Sequence, residues 1–302
     1  MTGAAYTEKD FSLSNNPDIA PEVVEAAIKL QYKARLKGRN LLGYKPLTVS
    51  TTSTIEEDET TGAINWLSEN GSLPKMDFSF VKGTKRVRPY GGYFEVSEEQ
   101  QEDGATDEIR VMVNNVAYAM AYFEDLLVYE DIINATGINT IDATNPWDVV
   151  TGATAGDPPD DIQRAKAAIR QVTKGWEADT LVLSELAVAK LTKYDWFRNR
   201  CYNAFDAQGY LVTARLPPIL GLNPLVDDAI DPLNEGRALV CKAIDIGVWE
   251  ERKPIATRNI PGYLLGKDNV AFKYTAKAKG EPNIKQPKLG CLINGLFTEE
   301  EG

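Results

Sequence analysis

One segment constrains the fold of this chain more than any other: a long stretch whose apolar residues recur with helical spacing. Thr106 is a suitable N-cap before the run, and Gly137 ends it. A helix over 106–136 would be about 46 Å long at about 1.5 Å per residue, which predicts a structural spine. The residues that recur three or four positions apart are Ile109, Val113, Val116, Met120, Phe123 and Leu127.

Before this spine, the sequence predicts a helix and a long β-hairpin. Pro21 suits the first turn of a helix that continues to Leu36, with Gly38 as its C-cap. Residues 48–55 and 76–81 are β-prone, and between them we place an acidic tip over 56–62. The hairpin has few residues that could form a core of its own. We therefore expect part of it to protrude and to pack on a neighbouring subunit.

After the spine, short helices and strands are mixed, which indicates an α+β fold. A loop over 141–159 precedes a helix through Ile162 and Val172, and residues 185–191 predict a second short helix. The Tyr90-Gly91-Gly92-Tyr93 segment, just ahead of the spine, is interpreted as a hinge. The remaining predicted strands cover 181–183, 209–214, 238–243, 244–249 and 270–276.

Composition and missing motifs exclude most enzyme classes. The 302 residues include no histidine, so Ser-His-Asp hydrolysis and His-ligated metal sites cannot be built. Neither phosphate-binding glycine motif is present, and Cys201, Cys241 and Cys291 form no CxxC pair. We predict no catalytic, cofactor-binding or metal-binding residue. No stretch predicts a secretion signal or a membrane span, and the net charge of −11 disfavours a dedicated nucleic-acid binder.

The order of the predicted elements resembles the major capsid proteins of tailed bacteriophages and related archaeal viruses, the Hong-Kong-ninety-seven type. That order is a polar arm, a helix, an extended hairpin, a spine helix, an α+β region and terminal strands. The similarity spans roughly residues 21–294. Its most specific stretches are LPKMDFSF at 73–80, KGTK at 82–85, GGYFEVSEE at 91–99, the helix over 109–127, ADTLVLSE at 178–185 and AIDIGVWEERKP at 243–254.

The resemblance implies a structural, non-enzymatic subunit that forms pentamers and hexamers of an icosahedral shell around viral double-stranded DNA. Portal, scaffolding and decoration proteins would be its partners, with scaffolding separate, absent or already cleaved. Assembly would take place in the host cytoplasm, and the mature location would be the virion. The implied regions are an N-terminal arm with helix (1–43), an extended loop (44–90), a peripheral domain with the spine helix (91–145), an axial domain (146–254) and peripheral return strands (255–302).

Two alternatives remain open from the sequence. An encapsulin-type nanocompartment shares the fold but encloses a cargo enzyme, so nucleic acid inside native shells separates it from a virus. A soluble α+β enzyme that uses carboxylates is the weaker alternative, and it would be a monomer or a small oligomer.

Two sets of residues are candidates for function. Phe78 and Phe80 are the expected apolar anchors of the extended loop on a neighbouring subunit, unless they fill their own subunit's core. Residues 26–55 contain no acidic residue, and the resemblance places this segment toward the shell interior, where its cations would contact DNA. The same cations could instead pair with the acidic tip or with spine carboxylates of an adjacent subunit. The cations proposed to face DNA are Lys29, Lys33, Arg35, Lys37 and Arg39, and Lys45 is the sixth of the segment.

Overall fold

The structure is a computed structural model that describes residues 21–49, 51–61, 77–97, 99, 106–152, 155–202, 216–261 and 270–298. Its helices are α1 (Pro21–Arg35), α2 (Thr106–Ile133), α3 (Pro158–Thr173), α4 (Glu185–Leu191) and α5 (Asp195–Tyr202), with 3-10 turns at Gly38–Leu41, Asp228–Ile230 and Pro287–Leu289. Its strands are β1 (Leu42–Pro46), β2 (Thr51–Thr61), β3 (Asp77–Arg86), β4 (Pro89–Ser97), β5 (Asn139–Asp142), β6 (Thr180–Leu183), β7 (Asn223–Val226), β8 (Ala238–Cys241), β9 (Ile244–Pro261), β10 (Val270–Ile284) and β11 (Gly290–Asn294).

The helix α2, called the spine helix below, joins two separate sheets. Its N-terminal half and α1 pack on one face of a four-stranded sheet of order β1-β9-β10-β4. Its C-terminal half packs on a five-stranded sheet of order β5-β11-β8-β6-β7. The mixture of helices and sheets confirms the predicted α+β class. Within the described residues, no helix is long and apolar enough to cross a bilayer.

The three central strands of the five-stranded sheet, β11, β8 and β6, are buried on both faces because most of their residues are apolar. Leu181 and Leu183 of β6 face a core formed with α3, α4 and α5, whereas Val182 between them faces the spine helix. Cys241 and Cys291 lie in this sheet, and burial raises the pKa of each thiol to about 12. Both are therefore structural thiols. The strand predicted over 209–214 lies outside the described residues.

The strands β2 and β3 form a two-stranded sheet of their own, as the hairpin pattern predicts. Thr51 pairs with Arg86 at its base, and Thr61 pairs with Asp77 at the far end of the described register. The acidic residues 56–59 were expected at the tip but belong to strand β2. Their β-branched neighbours and the cross-strand pairing with β3 extend the strand through the acidic run.

Two predictions about glycines were wrong: the hinge at Gly91–Gly92 and the helix C-cap at Gly38. In the structure, these glycines lie where the backbone packs in a strand or against a helix. Gly91 and Gly92 are not a hinge, because both lie inside β4 and pair with β10. Gly38 is not a left-handed C-cap but starts a 3-10 turn against the spine helix. A Cβ atom at Gly38 would lie 3.1 Å from the Tyr129 ring. The helix α1 itself begins at Pro21, as predicted, and ends at Arg35.

The buried face of the spine helix differs from the predicted one in its second half. Ile109, Val113 and Met120 are buried as expected, but Phe123 is 42% exposed. The buried stripe instead follows a 3.6-residue period onto the second sheet. This buried stripe includes two acidic residues, Glu124 and Asp125, which a search for apolar residues does not find. The additional buried residues are Ala117, Ala121, Glu124, Asp125, Val128, Tyr129 and Ile132.

Candidate functional site

The least expected feature of the fold is a pair of buried carboxylates at the middle of the spine helix. Glu124 is 0% exposed and Asp125 is 2% exposed. They lie where the helix passes from the four-stranded sheet to the five-stranded sheet. Because a buried charge is costly unless it is paired and hydrogen-bonded, the partners of these two residues define the site.

Glu124 binds three side chains that come from three different elements. The hydroxyl groups of Tyr32 and Tyr90 both donate hydrogen bonds to its Oε1. On the other oxygen, Oε2, the Nη1 of Arg39 lies 3.5 Å away. Burial raises the pKa of Glu124, and its hydrogen bonds and Arg39 act in the opposite direction. Burial and the Glu124 carboxylate raise the pKa of both phenols, so each stays protonated as a donor.

Arg39 connects the spine helix to the four-stranded sheet. Its Nη2 lies 3.3 Å from Oε2 of Glu251 in β9, which also accepts a 2.8 Å hydrogen bond from the Tyr44 hydroxyl. The guanidinium also stacks over the rings of Trp249 and Tyr44, at 5.2 and 5.5 Å from their centroids. Burial lowers the pKa of Arg39, but Glu251 and Glu124 outweigh burial and raise it overall.

Asp125 holds the backbone that follows α1. Its carboxylate accepts hydrogen bonds from the backbone N–H groups of Lys37 at 3.0 Å and Arg39 at 3.2 Å. Burial and then the nearby Asp227 raise the pKa of Asp125 to about 7. The Tyr129 hydroxyl, one helical turn along, donates a 2.9 Å hydrogen bond to Asp227.

Hydrogen bonds and ion pairs of this cluster therefore connect three parts of the molecule: α1 with the segment that follows it, the spine helix and the four-stranded sheet. We call it the junction network and define it as Tyr32, Arg39, Tyr44, Tyr90, Glu124, Asp125 and Glu251. Each carboxylate of the network accepts hydrogen bonds or forms an ion pair. The arrangement therefore suits mechanical support rather than proton transfer. Among the described residues, no group of three or more Cys, Asp and Glu side chains could hold a metal ion.

Of the basic residues in the N-terminal segment, some form ion pairs within their own subunit and others are exposed. Arg39 belongs to the junction network, with only 17% of its side chain exposed, so it is committed to its own subunit. Lys45 likewise pairs with the buried Glu250 at 2.9 Å. Lys33, Arg35 and Lys37 are exposed, and Lys29 is half-buried. The Arg35 guanidinium lies over the Tyr118 ring of the spine helix, 5.3 Å from its centroid.

Phe78 and Phe80 lie in the hairpin strand β3. In the register of the hairpin, Phe78 pairs with Thr60 and Phe80 pairs with Glu57. Their side chains lie outside what the structure describes. Sequence analysis thus located the hairpin and the basic segment but missed the junction network, whose only sequence signal is two acidic residues on a helix face that is otherwise apolar.

Comparison with known proteins identifies the family. A sequence model of the family described as phage capsid protein matches residues 81–277, which is more than half of the chain. No curated protein sequence matches it. A virus-like particle from Pyrococcus furiosus shares the fold, with a TM-score of 0.59 and 12% identity over 90% of this chain and 98% of that one.

Two further solved structures show the same fold at low sequence identity. The capsid of a native GTA particle has a TM-score of 0.60 and 13% identity, covering 90% of each chain. A chain of Mycobacterium phage Bobi has a TM-score of 0.56 and 17% identity, covering 96% of this chain and 99% of that one. Family membership excludes the carboxylate enzyme as an alternative. This chain belongs to the phage capsid protein family, has the Hong-Kong-ninety-seven-type fold and is a structural, non-enzymatic capsid protein.

Proposed function

We propose that the chain self-assembles through pentamers and hexamers into an icosahedral shell that encloses viral double-stranded DNA. The observation that supports this most is the separate two-stranded hairpin β2–β3 in a member of a capsid family. A two-stranded sheet is marginally stable on its own, and a neighbouring subunit would supply the missing packing surface. Assembly would take place in the host cytoplasm, with portal, scaffolding and decoration proteins as further partners.

In this proposal, the regions of the chain have different tasks in the shell. The axial domain, about residues 146–254, surrounds the symmetry axes of pentamers and hexamers. The peripheral domain, 91–145 and 255–302, forms the outer part of each capsomer around the spine helix. The extended loop, 44–90, lies across a neighbour, and the arm with its helix, 1–43, lies toward the interior.

We expect Phe78 and Phe80 to anchor the hairpin on a neighbouring subunit. Changing both to serine should leave a folded subunit that assembles poorly, because each buried aromatic ring removes about 150–250 Å² from water. Electron microscopy would count closed shells, and circular dichroism would confirm folding. The matched control changes both residues to leucine, which keeps an apolar side chain and should allow assembly. Normal shell yield from the serine variant would contradict the prediction.

We also expect Lys33, Arg35 and Lys37 to neutralise packaged DNA without reading its sequence. Reversing all three to glutamate should give shells that retain little nuclease-resistant DNA, with the defect eased by salt because salt screens the repulsion. The measurement is nuclease-protected DNA per shell. The control changes Lys174, Lys193 and Lys285, which are also exposed, to glutamate.

Two outcomes of that experiment would reject a DNA-facing role. If the triple variant forms no shells, the three cations make an assembly contact instead. If native shells hold a protein cargo and no nucleic acid, the chain is an encapsulin-type shell protein.

A further inference from the structure

A cleft of 370 Å³ opens beside the helix α3, away from the junction network. Part of its lining comes from the helix itself, and the rest comes from the segments that precede β6 and β7. We call it the α3 cleft. The residues that line it and carry the argument below are Gln163, Lys166, Arg170, Glu177, Ala178 and Leu220.

Three polar residues of the cleft lie on one face of α3. Gln163, Lys166 and Arg170 are spaced by three and four positions, and residues at this spacing are neighbours on a helix surface. Their side chains carry one amide and two positive charges, all of which offer N–H donors. This face of the helix therefore favours a ligand that accepts hydrogen bonds and carries negative charge.

Lys166 is half-buried, and the main chain holds its ammonium group at the cleft. The group donates a 2.9 Å hydrogen bond to the carbonyl oxygen of Leu220. Leu220 and Gly221 have φ angles of 50° and 81°, in a tight turn that Ile219 and Leu222 close with backbone hydrogen bonds of 2.9 and 2.8 Å. A carbonyl group is neutral, and Lys166 forms no ion pair with any described residue. Its charge is therefore left for a ligand.

Arg170 supplies a second positive charge, which is only weakly compensated. Its Nη1 lies 3.8 Å from Oε1 of Glu177, and the two side chains are 68% and 73% exposed. An ion pair this long and this exposed contributes little, because water screens it. Two cations and one loosely held carboxylate thus face the cleft.

We propose that the α3 cleft binds a small oxyanion, of which inorganic phosphate is the simplest, between Lys166 and Arg170. Hydrogen bonds from charged donors to an anion are about twice as strong as those between neutral groups. The Gln163 amide adds a third donor, and the buried Ala178 with Leu220 gives the cleft an apolar wall. The anion would replace Glu177 as the partner of Arg170, so Glu177 competes with the ligand. This inference does not depend on the proposed shell function.

Thermal unfolding of the full-length subunit in phosphate tests the site. Sodium chloride at the same ionic strength is the reference, because it screens charges equally. We expect a saturable rise of the melting temperature in phosphate, since a ligand that binds only the folded state stabilises it. At about ten times the Kd the rise should be about 3–6 °C.

Variants of the two cations and of the carboxylate should shift phosphate affinity in opposite directions. Lys166→Met and Arg170→Gln should each raise the Kd for phosphate about tenfold, because each removes a charged donor. Glu177→Gln should lower the Kd several-fold, because it removes the competing carboxylate. The control is Lys193→Met, which removes an exposed lysine that does not line the cleft and should leave the Kd unchanged.

Three outcomes would overturn the inference. The first is a melting temperature that rises no more in phosphate than in chloride. The second is an unchanged Kd in both cation variants, which would mean an adventitious ion only. The third is weaker phosphate binding by Glu177→Gln, since Glu177 would then support the cations instead of competing with the ligand.

Chemical labelling of the wild type covers the case in which Lys166→Met fails to fold by circular dichroism. A bound anion should shield the Lys166 amine from acetylation, which mass spectrometry measures at each lysine. We expect acetylation of Lys166 to fall several-fold in phosphate relative to chloride, with no change at Lys193. Equal acetylation of Lys166 in the two salts would contradict the proposed site.

Discussion

Replacing Gly91 by alanine is expected to destabilise the four-stranded sheet strongly. A Cβ atom at this position would lie 2.1 Å from the carbonyl oxygen of Ala276 and 2.9 Å from the Cα of Lys277. Both are backbone atoms of β10, the strand that pairs with β4, so no side-chain rotation relieves the overlap. We expect a loss of stability at or above about 3 kcal/mol, the upper end of usual overpacking costs.

The neighbouring glycine supplies a matched control for this prediction. A Cβ atom at Gly92 would lie 3.7 Å from Cγ1 of Val116, an ordinary contact with the spine helix. Gly92→Ala should therefore melt close to the wild type or slightly above it, because alanine loses less backbone entropy in a strand. Soluble yield and thermal unfolding of the two variants check the comparison. Equal melting temperatures for Gly91→Ala and the wild type would show that the two strands are not in this register.

Among the basic residues of the N-terminal segment, Arg39 is expected to contribute most to the stability of the subunit. Arg39→Ala leaves Glu124 and Glu251 buried without their shared cation, and breaking a buried pair typically costs about 3–5 kcal/mol. The stability of Arg39→Lys should lie between those of the wild type and Arg39→Ala. Lysine keeps the charge but loses the planar guanidinium group and its stacking on Trp249. Lys33→Ala, at an exposed position, should change stability by no more than about 0.5 kcal/mol.

The pH dependence of this defect gives an independent check of its cause. An unpaired buried carboxylate has a pKa above its unfolded value, so the folded state binds more protons and gains stability as pH falls. The deficit of Arg39→Ala relative to the wild type should therefore be smaller at pH 5 than at pH 8. Unfolding curves of the dissociated subunit at both pH values measure it. A deficit that does not change with pH would mean that Arg39 acts by packing and not by charge.

The elements with strong local patterns were predictable from the sequence. The helix Glu185–Leu191 follows the N-cap Ser184, and the spine helix begins at Thr106 as its pattern indicates. Such signals are local, because capping groups and apolar periodicity act within a few residues. The hairpin was also predictable as a pair of β-prone segments, although its acidic run proved to be strand.

The junction network was not predictable because its partners are distant in sequence and its key residues are charged. Arg39 and Glu124 are 85 positions apart, and Tyr44 and Glu251 are 207 apart. The charge of Glu124 and Asp125 assigns both residues to solvent, since charged residues are seldom fully buried unless they are paired. The Tyr44–Glu251 contact requires the parallel pairing of β1 with β9, which no local pattern encodes.

The central claim is that this chain is the subunit of a self-assembling shell, and electron microscopy of the purified full-length chain tests it most directly. We predict closed shells, or rings of five and six subunits where a separate scaffolding protein is required for closure. Light scattering on the same sample should show particles far larger than the 33.3 kDa chain. A monodisperse monomer or small oligomer, with no rings or shells in the micrographs, would contradict the account.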